Sequence, residues 1–342
     1  MAAPSETNIS NSSSSLSQFL QENSYTEELR EFLNSLPKET GWLTPDLYNY
    51  KGFWLEPSLL QGALTSHQHF QAQDSDIILS TFPKSGTVWL KALTFALITR
   101  KHFLASQESE ETHPLHTNNP HDLIPFLDFS YAVNERPDFA LTNGLRLLAT
   151  HLPLSLLPKS VWESKCKLIY LCRNPKDTVV SFWHFINKLR SELRGLEALP
   201  FPEAFDSYCR GVSNTGPFWD HVLEHWKESL ENPGKILFFK YEEMKKEPEA
   251  HLRRMAAFLG CPFSEEEEEC GVVSGILRLC SFERLSNLEV NKSVVNGAIG
   301  VENGVFFRKG KVGDWRNHLT DEMARRLDQI VEEKFSGTGL KF

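Results

Sequence analysis

No apolar run in this 342-residue chain approaches the roughly 18 to 20 residues a membrane span needs, because Lys, Arg or Thr breaks every hydrophobic stretch. That argues against membrane insertion. Cysteine is sparse: Cys166, Cys172, Cys209, Cys261, Cys270 and Cys280 form no C-x-x-C pair, so neither a zinc site nor a small disulfide framework is indicated. Reduced thiols in a cytosol fit this pattern, and the sequons Asn8-Ile9-Ser10 and Asn291-Lys292-Ser293 are then expected to stay unmodified. Excess positive charge is missing too. A net charge of -9 disfavours a nucleic-acid-coating role and leaves any anionic ligand to a local basic cluster. No repeat of about 20 to 50 residues is visible, which sets aside solenoids and propellers. Met1 to Gln21 lacks the basic leader and apolar core of a secretory signal. It is rich in Ser and Asn and carries Glu6, so 1–24 is expected to be a disordered tail. A plastid transit peptide is Ser-rich as well, but the missing Arg and the acids Glu6, Glu22, Glu27 and Glu28 argue for a cytoplasmic protein instead.

What is present suffices for a large core, with 40% hydrophobic residues. The expected organisation is a helical extension over 25–40 followed by one α/β domain over 41–342. Asp76-Ile77-Ile78-Leu79-Ser80-Thr81 is a short β-rich run that enters a turn and then the apolar helical stretch Val88 to Leu97. Leu145 to Thr150, Lys165 to Leu171 and Lys235 to Lys240 read as further strands, the second leading into a helix over Thr178 to Leu189. Strands joined by helices predict a central parallel sheet covered on both faces, with ligands at the carboxyl ends of its strands. Glu265 to Glu269 reads as the solvated first turn of a helix capped by Ser264. Ser293 to Gly304 reads as a mobile loop.

The sharpest local feature is Thr81-Phe82-Pro83-Lys84-Ser85-Gly86-Thr87 between a strand and a helix. Pro and Gly shape a tight turn, the first helix amides face an anion, and Lys84 adds a point charge beside the hydroxyls of Ser85 and Thr87. This is a P-loop-like phosphate cradle. Alone it would suit a metal-dependent nucleotide kinase or triphosphatase, or a non-catalytic nucleotide-binding protein. Yet Phe82-Pro83 stands where the glycine-rich arc of G-x-x-x-x-G-K-[ST] should be, and the strand ending at Leu171-Cys172 gives way to Arg173 in place of a magnesium carboxylate. A donor handled without metal is implied. His151, after the strand ending Ala149-Thr150, should project at the carboxyl edge of the sheet beside the cradle.

The Pro83-to-Thr87 loop, the Arg173-to-Ser181 segment and the late Arg308-Lys309-Gly310 run occur in an order that resembles the cytosolic sulfotransferases, most of all the soluble plant members, from about Gly41 to the C-terminus. The resemblance implies a sulfotransferase or nucleoside-triphosphate-hydrolase-like fold and use of 3′-phosphoadenosine 5′-phosphosulfate (PAPS) without a metal, yielding adenosine 3′,5′-bisphosphate (PAP). It further implies that Lys84, Ser85, Gly86, Thr87 and Val88 hold the phosphosulfate and that Trp89 stacks near the adenine. Arg173, Ser181, Arg308, Lys309 and Gly310 would take the 3′-phosphate, Tyr241 and Phe282 would line the nucleoside, and His151 would be the catalytic base beside Lys84.

Two departures from the animal pattern bear on the sulfate. Val88 replaces a second Thr, and Ala149 replaces a Lys two residues before the histidine, which shifts weight onto Lys84. Arg316 to Asp321 occupies the place of the animal dimer motif with Asp321 for its apolar Val. A buried unpaired carboxylate would oppose that interface, so a monomer is expected. For the acceptor, Phe53, Trp54 and Phe185 are pocket candidates. An aromatic-lined cleft suits a small hydroxylated molecule such as a phenol, flavonol, steroid or brassinosteroid, or a hydroxyjasmonate.

Overall fold

The computed structural model describes residues 25–103, 111–296 and 300–342; the tail expected over 1–24 lies outside the described residues. The chain enters through helix Glu27–Asn34 (α1), whose N-cap Thr26 accepts a hydrogen bond from the Leu29 amide. Pro37 follows closely, and the expected helical extension over 25–40 is helical only as far as Asn34. Lys38–Thr40 (β1) pairs antiparallel with Asp46–Tyr50 (β2), which pairs with Phe53–Leu55 (β3). The cut expected between 40 and 41 therefore falls inside a small sheet. Helix Pro57–His69 (α2) leads from it to the main body.

The main sheet holds Ile77–Thr81 (β4), Leu141–Thr142 (β5), Leu145–Thr150 (β6), Lys167–Cys172 (β7) and Ile236–Lys240 (β8), in the order β5-β6-β4-β7-β8. Four strands are parallel, as expected. The sheet is mixed because β5 adds an antiparallel edge to β6 through the two-residue turn Asn143-Gly144, both at positive φ (51° and 77°). Such a pair supplies the left-handed conformations a tight hairpin demands. Every residue of β4 is buried, as for a strand covered on both faces. Alternation along β7 assigns the covers: Ile169 and Leu171 meet Leu90, Leu93 and Leu97 of helix Thr87–Phe103 (α3). Tyr170 and Cys172 meet Val179, Val180 and Phe182 on the other face. Those three belong to the helix that follows β7.

Beyond α3 the chain passes helix Leu127–Val133 (α4), which packs on α2. The helix expected over Thr178 to Leu189 is longer, Pro175–Arg194 (α5). It opens with Pro at its first position under an Asn174 cap and ends at Gly195 with φ 59°. Helices Phe218–Glu231 (α6) and, near the C-terminus, Asp321–Phe335 (α7) complete the α5 side. The run Glu265–Glu269 is a short helix whose Ser264 and Glu267 form a reciprocal capping box. Of the loop expected over Ser293 to Gly304, residues 297–299 lie outside the described residues. The remainder is tied by a Val295–Glu302 bridge and by an Asn296–Asn303 side-chain bond of 3.1 Å.

Because β6 and β7 lie on opposite sides of β4, the strand order reverses at β4. The crevice outside the carboxyl ends of these strands is where an α/β sheet offers its ligand site.

Candidate active site

At the end of β4 the backbone turns abruptly. Lys84 has φ 67° and Gly86 φ 109°, and a Cβ on Gly86 would stand 2.9 Å from the Tyr241 ring, so the sequence needs glycine there. Phe82 anchors the turn from below, fully buried and edge-on to Phe182, Tyr208 and Phe218. The α3 amides are then left open at the helix N-terminus. Ser85 Oγ is buried with no hydrogen-bond partner among the described residues. A buried hydroxyl without a partner beside open amides fits an anionic ligand.

Arg173 leaves the end of β7 and donates to the Lys311 carbonyl at 2.7 Å while lying 4.8 Å over the Tyr241 ring. Its Nε, like that of Arg308, is buried without a partner. The 308–315 segment is fastened to α5 by buried Asp177, which accepts from the Gly313 amide at 2.7 Å and the Trp315 amide at 3.0 Å. Within that segment Asp314 accepts from Lys309 at 2.7 Å and from Arg308. Burial works against its charge, yet those two cations and Asn317 hold its carboxyl well below the ordinary carboxylate range. Ser181, buried on α5, lines the same cavity as these cations. Lys84 stands 4.2 Å from the centre of the Phe185 ring. Burial first, then the nearby Arg173 and Arg308, push its ammonium down to about 7.

Trp89, Tyr241, Phe282 and Gly310 meet as the wall of this anion pocket. Trp89 and Tyr241 are edge to face at 5.5 Å, and the Tyr241 hydroxyl donates to the Gly310 carbonyl at 3.0 Å. A Cβ on Gly310, at φ 62°, would come within 2.4 Å of the Phe282 ring. Val88 lines the cavity as well.

His151 follows β6 as expected, and its ring is oriented by β4. Nδ1 lies 2.8 Å from the Thr81 carbonyl, which can only accept, so Nδ1 carries the proton and the Nε2 lone pair remains. Nε2 has no partner among the described residues, and the ring lines the cavity that holds Lys84. Burial chiefly, aided by Lys91 and Lys84 and opposed by the Thr81 carbonyl, pushes the imidazole down to about 3; it is neutral at physiological pH. Below it runs a satisfied chain of core histidines. His221 Nε2 donates to the His151 carbonyl at 3.1 Å and its Nδ1 meets the Tyr170 hydroxyl at 2.9 Å. His225 is bonded to Ser80 at 2.8 Å.

Behind His151 the structure adds residues that sequence reasoning passed over. Lys91, fully buried on α3, has its Nζ 3.4 Å from the Phe126 ring centre and 2.9 Å from His121 Nδ1. Phe126 in turn lies 4.7 Å from His151. Asp128, also fully buried, accepts from the His151 amide at 3.3 Å, and burial drives its carboxyl up to about 7. The only sequence signal was a Lys in the apolar row of a buried helix, where a charge needs a purpose.

The acceptor candidates divide. Phe185 lines the cavity, whose volume is about 440 Å³ and whose walls also include Phe126, Phe129, Phe182 and Phe306. Phe53 and Trp54 do not line it. Phe53 faces inward from β3 onto the core and His221, and the Trp54 backbone is bonded to the 215–216 turn. Two residues further on, it is Glu56 that reaches the cavity. Among the described residues no cluster of three or more His, Cys, Asp or Glu side chains is placed to hold a metal ion.

Comparison with known proteins gives a consistent picture. A family model described as "Sulfotransferase domain" matches residues 74–339. The chain is similar to Cytosolic sulfotransferase 12 of Arabidopsis thaliana, at 49% identity over 97% of this chain and 99% of that protein. It is also similar to Flavonol 4'-sulfotransferase of Flaveria chlorifolia, at 46% over 92% of this chain and 97% of that one. Among solved structures, an Arabidopsis thaliana putative steroid sulphotransferase superposes with a TM-score of 0.74 at 43% identity, covering 94% of this chain and 98% of the other. A mouse sulfotransferase complexed with PAP superposes at 0.62 and 27% identity, covering 85% and 95%.

Proposed function

The chain belongs to the sulfotransferase family, and from that premise we propose that it transfers a sulfuryl group from PAPS to a hydroxyl of a small apolar acceptor in the cytosol, with His151 as base and Lys84 as the charge-stabilising cation. When bound, the donor supplies a sulfuryl group carried on a phosphate leaving group. The orphaned Ser85 Oγ, Arg173 Nε and Arg308 Nε fit such a doubly anionic ligand.

The α3 amides with Ser85, Thr87 and Lys84 hold the 5′ side. Arg173, Ser181, Arg308, Lys309 and the Gly310 backbone hold the 3′-phosphate, Arg173 with the planar fork suited to phosphate oxygens. Trp89, Tyr241 and Phe282 enclose the nucleoside. His151 Nε2 takes the acceptor proton as the acceptor oxygen bonds to sulfur, and Lys84 Nζ meets the negative charge gathering on the bridging oxygen as its bond to sulfur breaks. A base at about 3 is weak; burial is the main cause, and of the cations that add to it Lys84 is the one an anionic donor offsets, so donor binding raises its basicity in part.

The observation that carries this reading is the Nδ1-to-Thr81 bond, because Thr81 is the last residue of the strand that launches the Lys84 loop. Base and cation are thereby built on one rigid edge. The test incubates the protein with radiolabelled PAPS, a panel of hydroxylated metabolites and a chelator. Label transfer should survive the chelator, and His151→Ala should lose at least about 10²-fold in turnover while PAP binding changes little. Near-normal turnover by that variant would remove the base assignment.

A further inference from the structure

Helix α5 measures the cavity from one end to the other. Ser181, Phe185, Leu189 and Leu193 recur at four-residue spacing and all line it. Ser181 and Phe185 stand at the end that holds Lys84 and the arginines, and Arg194 closes the helix at the other. The eight steps from Phe185 to Leu193 span about 12 Å at 1.5 Å per residue. Most of the side chains along that length are apolar.

Glu56 breaks the pattern. It is 6% exposed and lines the cavity, and it is the N-cap of α2, yet its carboxylate makes no capping bond. Its backbone amide donates to Asn214 Oδ1 at 3.4 Å, which fixes the residue in place, but no donor among the described residues bonds its carboxylate oxygens. Arg194 is the cation whose charge it feels, which places it at the far end of α5 from Lys84. Burial outweighs that attraction and lifts its carboxyl to about 7. A carboxylate that faces an apolar cavity and takes no donor from the protein can take one from a ligand, so a ligand with a hydroxyl at that point binds more tightly than one without it.

We propose that Glu56 selects the acceptor: the substrate is an elongated apolar diol, with one hydroxyl presented to His151 and a second donating to the Glu56 carboxylate toward the other end of the cavity. The inference rests on the sulfotransferase reading for the chemistry at the first hydroxyl, but not for recognition of the second. The hydrophobic walls accept the scaffold, and the distal hydroxyl supplies the hydrogen bond that the protein leaves unmade.

The probes are estradiol and 17-deoxyestradiol, a rigid pair differing only in the distal hydroxyl. Calorimetry on the PAP-saturated protein should show estradiol binding at least about 10-fold more tightly, as one such hydrogen bond implies. Glu56→Leu should bring the two affinities together without weakening 17-deoxyestradiol, and Glu56→Gln should keep part of the preference. Equal affinities in the unaltered protein, or a preference unchanged in Glu56→Leu, would overturn the proposal. PAP affinity, measured separately for each protein, reports the donor site and correct folding. Loss of PAP binding with a retained diol preference would instead sink the sulfotransferase assignment of the donor pocket and leave Glu56 as the selecting group.

Discussion

Lys84 is held near neutrality by its burial among other cations, and this has a measurable consequence. With a value of about 7, much of it is uncharged in the empty protein at pH 8. An anion in the cradle favours the charged form and raises that value, so PAP binding at pH 8 should take up close to one proton through Lys84. At pH 5.5, where the group is already charged, its share vanishes. Calorimetry in buffers of different ionisation enthalpy reads this directly, and pH-independent uptake would contradict it. Asp128 gives a second test. Its value is raised in the folded state to about 7, so above the ordinary carboxyl range the folded protein keeps a proton that the unfolded chain releases. The penalty grows between about pH 4 and pH 7 and is complete above. Asp128→Asn should therefore raise Tm more at pH 8 than at pH 5 in calorimetric scans. At this scale the Pro83 to Thr87 loop was legible from its own residues, while the other proposed donor-side residues came from the family resemblance. Lys91, Asp128 and Glu56 were not, because each is an ordinary charged residue in sequence and acquires meaning only from being buried.

Elements are legible in the sequence where an apolar run is continuous or sustained. The four parallel strands stand within two residues of expectation, while α3 runs six residues past the expected end at Leu97 and α5 exceeds its expected bounds at both ends. The Asn143-Gly144 turn was equally visible and went unused, so the antiparallel edge β5 was missed; Pro37, overlooked in the same way, ends α1 before β1. Two glycines make the elements meet. Substituting Ala at Gly310 would put a methyl 2.4 Å from Phe282 at a left-handed φ. We expect Gly310→Ala to weaken PAP binding by about 1 to 3 kcal/mol, through displacement of the ring or of the 308–315 segment. A PAP Kd within twofold of the parent protein would show that the contact can relax. Asp177→Asn should loosen the same segment from α5, seen as faster amide exchange at Gly313 and Trp315, the two amides it accepts from.

For the whole molecule, one sheet edge gathers the residues around His151 and the Lys84 loop. Thr81, His151, Arg173 and Tyr241 sit at the carboxyl ends of four adjacent parallel strands, so residues up to 160 positions apart meet without any mobile domain. That convergence follows from strand order, which the sequence does not spell out locally. Association between molecules is a separate matter. Asp321 begins α7 as an exposed carboxylate beside the Thr320 cap, where the helix dipole favours its charge in water. We expect light scattering to give a mass near 39.1 kDa, and twice that would show a dimer built on other contacts.

Asp314 gives the donor pocket a character that no inventory of its cations conveys. Arg308 Nη1 and Lys309 Nζ are already engaged by this internal carboxylate, while Arg308 Nε stays without a partner among the described residues. A free inorganic phosphate or sulfate must compete with a tethered rival and gains little net attraction by doing so. Only a ligand that also reaches the Lys84 loop and the Tyr241 wall offers enough contact to win. On the proposed function the pocket thus carries its own decoy, and in a cell rich in small oxyanions we expect a nucleotide to clear the threshold it sets and a lone ion not to.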